Sequence, residues 1–219
     1  MGNSGILSGG TRGMRQDYFG AMLATVVSND DPLGLGRVKL KYPWMDGEPI
    51  SDWTRIATPM AGPERGIYFV PEIDDEVLVV FANGNINSPF VIGALWNDQA
   101  KPPVENASGN HIRTIVSRSG LSITLDDTDD KTKIVISDKE AQNLISLDVK
   151  SGTITLKAAK KLSIDAPEGI ELKTDGPFKL TANEVNVTGT SKVALSAGSG
   201  TMTLDGMSVN VNKGALEVK

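Results

Sequence analysis

Cysteine is absent from this chain of 219 residues, and histidine occurs once, as His111. No disulfide framework, cysteine nucleophile or Cys-based metal site can be built, and a lone histidine has no second His with which to hold a metal. Positive charge is in deficit, with a net charge of −5. A nucleic-acid backbone needs a basic footprint, so that class of partner is disfavoured. No apolar run approaches the roughly 18 residues of a membrane span. The opening MGNSGILSGGTRGMRQ lacks the apolar core of a secretory signal, and Ile6 stands where the myristoylation pattern wants Ser or Thr. Aromatic residues are few and uneven. Trp44, Trp53, Trp96, Tyr18, Tyr42 and Tyr68 all precede residue 100, and beyond it Phe178 stands alone. One half can anchor a core on aromatics; the other must be stabilised differently.

What is present divides the chain in four. Residues 1–17 are rich in Gly and Ser without periodicity, and read as a flexible arm. Residues 18–97 read as a small all-β domain. Strands are expected over 18–27, 37–42, 53–57, 66–70, 76–82 and 89–95. Arg37-Val38-Lys39-Leu40-Lys41-Tyr42 alternates polar and apolar, as a half-buried strand does. Asn83-Gly84-Asn85 is hairpin-turn chemistry. Short strands, tight turns and no helical period suggest an OB-fold barrel. Lys101-Pro102-Pro103 and Ser108-Gly109-Asn110 mark a linker over 98–112.

Residues 113–219 carry a recurring apolar-x-apolar pair: Ile154/Leu156, Leu162/Ile164, Ile170/Leu172, Phe178/Leu180, Val185/Val187, Val193/Leu195, Met202/Leu204, Val209/Val211 and Leu216/Val218. First members are 8, 8, 8, 7, 8, 9, 7 and 7 residues apart. Ile123/Leu125, Ile134/Ile136 and Ile145/Leu147 are earlier, less regular copies. Fixed-period self-similarity marks a solenoid. One such strand cannot close a core alone, so either one chain coils or three chains wind together. A single chain would complete fewer than three turns over this run, too few by the three-repeat criterion. Three chains would build nine layers, and a homotrimeric, intertwined β-helix is the expectation. An ordinary sandwich would have longer strands and more variable loops. In the trimer the pairs from Ile154 to Val211 form the core about the threefold axis, and Leu216 and Val218 end the shaft as an apolar docking layer.

The barrel segment also carries a resemblance. Gly36-Arg37-Val38-Lys39-Leu40-Lys41-Tyr42-Pro43-Trp44, Asp52-Trp53-Thr54-Arg55-Ile56-Ala57 and Arg65-Gly66-Ile67-Tyr68-Phe69-Val70-Pro71-Glu72-Ile73 run on into Asp74-Asp75-Glu76-Val77-Leu78-Val79-Val80-Phe81 and Ser88-Pro89-Phe90-Val91-Ile92-Gly93. In this order and spacing they resemble the OB domain of the phage baseplate assembly protein V and VgrG spike family. The resemblance implies a trimeric spike beneath the inner tube of a contractile phage tail, type VI secretion system or extracellular injection system. Such a spike is assembled in the bacterial cytoplasm, becomes part of the tail or particle baseplate, and touches the target membrane transiently. Only about 17 residues precede the barrel, so a separate hub protein is expected there. The tip metal of some phage spikes needs a His-x-His pair that this chain lacks, so a separate PAAR-like tip protein is expected at the other end.

No catalytic constellation is found, and no cofactor is implied. Asp126-Asp127-Thr128-Asp129-Asp130 lacks the Gly and distal Glu of an EF-hand and reads as a solvated turn. Asp74-Asp75-Glu76 reads as a polar hairpin end rather than a glycosidase pair. There is no G-x-S-x-G elbow and no Walker motif. Three functions are weighed: a non-enzymatic spike, an OB-type module binding oligosaccharide or single-stranded nucleic acid on a β-solenoid stalk, and a polysaccharide-cleaving β-helix. The second needs exposed aromatics on a basic face; the third needs an acid/base cluster. The spike is favoured.

Overall fold

Alternation sets the first strands. In a computed structural model of the chain, residues 17–105, 109–198, 200–205 and 208–211 are described. The arm expected over 1–17 lies outside these residues except for Asp17. Leu216 and Val218 lie outside them too. The chain separates into two units, Met1–Leu162 and Ser163–Lys219, and apart from one 3-10 turn every regular element described is a strand.

The barrel uses β1 (Met22–Ser28), β2 (Lys39–Lys41), β3 (Arg55–Ile56), β6 (Glu76–Phe81) and β7 (Pro89–Leu95) in the order β2-β1-β6-β7-β3. All pairings are antiparallel except β3 with β7. An antiparallel bridge between Val38 and Thr54 joins the two ends of this order and closes the curled sheet. The inward residues are those that alternation marks out. Val77, Val79 and Phe81 point in from β6, Ala24 and Val26 from β1, Leu40 from β2, with Val38, Tyr42 and Val91 completing the core. Tyr18, Tyr42, Trp44 and Phe81 stack in tilted and edge-on pairs, geometries that favour aromatic packing. The Trp44 indole N–H donates to the Leu23 carbonyl at 2.7 Å.

One expectation needs correction. Residues 66–70 are not a strand. Only Arg65–Gly66 (β5) pairs, with Ala61–Gly62 (β4). Ile67 N–H still donates to the Met60 carbonyl, but residues 68–70 join no strand, and Tyr68 and Phe69 are exposed there. Asn83-Gly84-Asn85 does lie in the connection of the β6–β7 hairpin, where Asn83 and Gly84 both take positive φ (51° and 72°).

After the linker, β8 (Ile112–Val116), β9 (Ser122–Asp126), β10 (Lys133–Ser137), β11 (Leu144–Asp148) and β12 (Thr153–Lys157) form an antiparallel meander. No strand occurs from residue 158 to 191. In the second unit, β13 (Lys192–Ala197), β14 (Gly200–Asp205) and β15 (Ser208–Val211) form a three-stranded antiparallel sheet.

Candidate functional site

The meander has two faces of opposite character. Its register puts Ile115, Ile123, Ile136, Ile145 and Leu156 in one cross-strand row. Arg113, Leu125, Ile134, Leu147 and Ile154 form the next row on the same face. The other face carries Thr114, Thr124, Val135, Ser146 and Thr155. There the Thr114 and Thr124 hydroxyls hydrogen-bond at 2.8 Å, as do those of Ser122 and Ser137 at 3.3 Å.

Burial runs opposite to polarity. Along β9, Ser122 and Thr124 are half-buried while Ile123 and Leu125 are exposed. β10 and β11 repeat this pattern. Nine aliphatic side chains therefore stand in solvent on one continuous face, Ile154 at 69% exposure. Monomers rarely expose contiguous apolar patches beyond a few hundred Å². At roughly 1 kcal/mol for covering the exposed half of each aliphatic side chain, the face forfeits on the order of 10 kcal/mol per chain while bare.

The next stretch is bare in a second sense. Leu162, Ile164, Ile170, Leu172, Phe178, Leu180, Val185 and Val187 are all exposed. Within residues 158–191 the only backbone-to-backbone hydrogen bond runs from Gly169 N to Ala166 O. Backbone polar groups normally find partners, and here the described residues supply almost none. Val193 is half-buried and Leu195 and Met202 are exposed. Register aligns Val193, Leu204 and Val209 in one row and Leu195, Met202 and Val211 in the next.

Sequence reading put the start of the repeat core at Ile154, which leaves out most of the meander face. A signal was available. Ile123, Ile134 and Ile145 recur every 11 residues rather than every 8. With five-residue strands this leaves six residues, enough for the long turns that reverse the chain after β9 and β10. Tyr68 and Phe69, exposed beside the meander, were also passed over.

The acidic clusters are turn chemistry. Asp126 accepts the Thr128 N–H at 3.0 Å, and hydrogen bonds from Thr128 hold its carboxyl below the usual range. Asp127 pairs with Arg113 at 2.8 Å and Asp130 with Lys150 at 2.6 Å. Asp138 is lowered by Asn143, and Asp148 by the Ser151 backbone N–H, each closing a hairpin. Asp75 accepts the Glu72 N–H at 2.8 Å in the turn before β6. Among the described residues no group of three or more His, Asp or Glu side chains is placed to hold a metal ion.

On the barrel, Asp31 organises a loop. It accepts N–H groups from Leu33, Leu35 and Arg37, and its ion pair with the Arg37 guanidinium closes to 2.6 Å. That guanidinium, foremost, holds the Asp31 carboxyl far below the usual carboxylate range. Arg37 and Lys39 also lie over the Trp53 ring and Arg55 over Phe90. The barrel thus gathers cations and aromatics at these points. The rings are half-buried, however, and covered by the protein's own cations, which leaves them poorly placed to stack bases or sugars.

Comparison with known proteins bears on the barrel directly. Residues 22–96 match the family described as the Type VI secretion system/phage-baseplate injector OB domain. Over this span the barrel is similar to the injector OB domain of phage baseplates and type VI secretion systems. The chain is 34% identical over 92 residues to the Actin cross-linking toxin VgrG1 of Vibrio cholerae, covering 38% of this chain and 8% of that one. To the Type VI secretion system spike protein VgrG3 of Vibrio cholerae it is 35% identical over 89 residues, 36% of this chain and 8% of the relative. To the Type VI secretion system spike protein VgrG2b of Pseudomonas aeruginosa it is 28% identical over 216 residues, 91% of this chain and 20% of the relative. The chain spans a fifth or less of the length of these relatives. The last similarity runs beyond the injector OB domain into the repeat. No helix among the described residues is long and apolar enough to cross a membrane.

Proposed function

We propose that this chain is a non-enzymatic, homotrimeric spike component of a contractile injection machine, with the OB barrel on the hub side and the repeat as shaft. The observation that carries the reading is the meander whose aliphatic face lies outside. Three copies set with these faces toward a common axis would bury them against one another and supply an apolar core that no single chain contains. In residues 158–191 the unpaired backbone and the short repeat fit strands from three chains winding together. There the pairs Leu162/Ile164, Ile170/Leu172, Phe178/Leu180 and Val185/Val187 fill successive layers, and Ile154/Leu156, Val193/Leu195, Met202/Leu204 and Val209/Val211 continue them on either side. Similar proteins include type VI secretion system spike proteins, which fits the mechanical role.

A hub protein beside the barrel and a PAAR-like tip protein beyond the shaft, reached through Leu216 and Val218, belong to the same reading. So do assembly in a bacterial cytoplasm, incorporation in a tail or injection baseplate, and transient contact with a target membrane. Light scattering on the purified chain tests the core of it. The expected mass is three times that of one chain, retained in SDS without heating, because interlocked chains separate slowly. A monomer at micromolar concentration overturns the trimer and the spike with it.

A further inference from the structure

One part of the apolar surface belongs to the barrel, not the shaft. We infer that Tyr68 and Phe69 form a collar that seals the barrel-side end of the meander face by packing on a second copy of this chain; the inference rests on the trimer proposed above. Tyr68 is 80% exposed and Phe69 67%. These two aromatics and the row Ile115, Ile123, Ile136 and Ile145 line the same groove, of about 1200 Å³. The groove is therefore continuous with the face assigned to the trimer core.

The segment bearing the aromatics is held in place rather than loose. The Thr58 hydroxyl donates to the Ile67 carbonyl at 2.6 Å, and Ile67 N–H donates to the Met60 carbonyl at 3.0 Å. A Cβ on Gly66 would lie 2.6 Å from that same Met60 carbonyl oxygen, so only glycine permits this hairpin. Gly36, at φ 66°, has no side chain, and a Cβ there would stand 3.3 Å from the Tyr68 ring. The ring thus rests on bare backbone while most of it faces outward. On the other side Arg118 reaches Glu72 at 3.2 Å, tying the first turn of the meander to the barrel beside the groove. A rigid, exposed Tyr-Phe pair at low entropic cost is the usual anchor of a protein interface.

Area favours a second copy as occupant. The nine aliphatic side chains alone expose on the order of 800 Å², about the per-partner size of a standard interface. The two aromatics add roughly 300 Å² to it. Without them the apolar core would meet water at its upper end.

The test uses the full chain with Tyr68 replaced by a photoreactive benzoylphenylalanine, co-expressed with a differently tagged wild-type copy. Light scattering first fixes the mass. Irradiation should then join the two tagged forms, with the cross-linked peptide mapping to residues 112–157 of the other copy. A trimer in which position 68 links only within its own chain, to another protein, or to nothing overturns the collar and leaves the trimer standing. A monomer overturns the trimer itself. As a second readout, Tyr68→Ser combined with Phe69→Ser should leave barrel melting unchanged but speed trimer dissociation in SDS by about tenfold or more. An unchanged dissociation rate also overturns the collar.

Discussion

The barrel and the meander use the same alternation to opposite ends. In β6, Val77, Val79 and Phe81 turn inward and are buried, since the sheet curls until Val38 meets Thr54 and closes on itself. In β10, Ile134 and Ile136 occupy equivalent alternate positions yet remain exposed, since the five-stranded meander ends in unpaired edges and, among the described residues, no second layer covers this face. An apolar alternation therefore specifies a face, not a burial. Whether the face is buried depends on whether the same chain can bring a second surface to it.

The sharpest way to break this contrast is to place a charge on each kind of face. Ile136→Asp should abolish assembly, because three carboxylates would meet near one axis and an unpaired buried charge costs several kcal/mol. The barrel should stay folded, with its Trp fluorescence unchanged. A stable Ile136→Asp trimer would show that the aliphatic face is not the core. Val193→Asp tests the far part of the shaft and should also prevent assembly, both variants being read as molar mass by light scattering.

A gentler pair separates the regions by concentration. Val79→Ala should cost the barrel about 2–3 kcal/mol, read by urea denaturation followed through Trp44 and Trp53, and independent of protein concentration. Ile134→Ala should leave that transition in place and instead lower a concentration-dependent melting of the shaft. If both variants shift the same transition equally, barrel and shaft form one cooperative unit.

pH sharpens the comparison within the barrel. Because the Asp31 carboxyl is held low by Arg37, its contribution is fully present above the ordinary aspartate value near 3.9. It is lost as pH falls from there toward the lowered folded value. Asp31→Asn should therefore destabilise the barrel at pH 7, with the gap to wild type narrowing below about pH 4. A gap that stays constant with pH would remove the charge from the explanation. The smallest effect belongs to the exposed Arg118–Glu72 pair. Arg118→Ala should cost less than about 0.5 kcal/mol by the same denaturation assay.

Much of this was legible in the sequence. The main barrel strands and the inward residues of 37–42 and 76–81 follow from alternation and turn residues, because local sterics and half-burial act within a few residues. The eight-residue period from Ile154 onward was equally plain. The strand expected over 66–70 failed because strand propensity says nothing about whether a neighbour is present to pair. The meander was misjudged as irregular repeat because the period was tracked while the turn length, set by the 11-residue spacing, was not.

Composition and pattern alone were enough to mark the chain as all-β, its first part as a small barrel and its second part as a run of recurring apolar pairs. Folding in three dimensions was needed to show that 112–157 pairs with itself, that its aliphatic rows are exposed, and that Tyr68 and Phe69 stand beside them. The physical reason is that pattern fixes which side chains share a face within a strand, whereas pairing, curl and the approach of distant loops depend on contacts across dozens of residues.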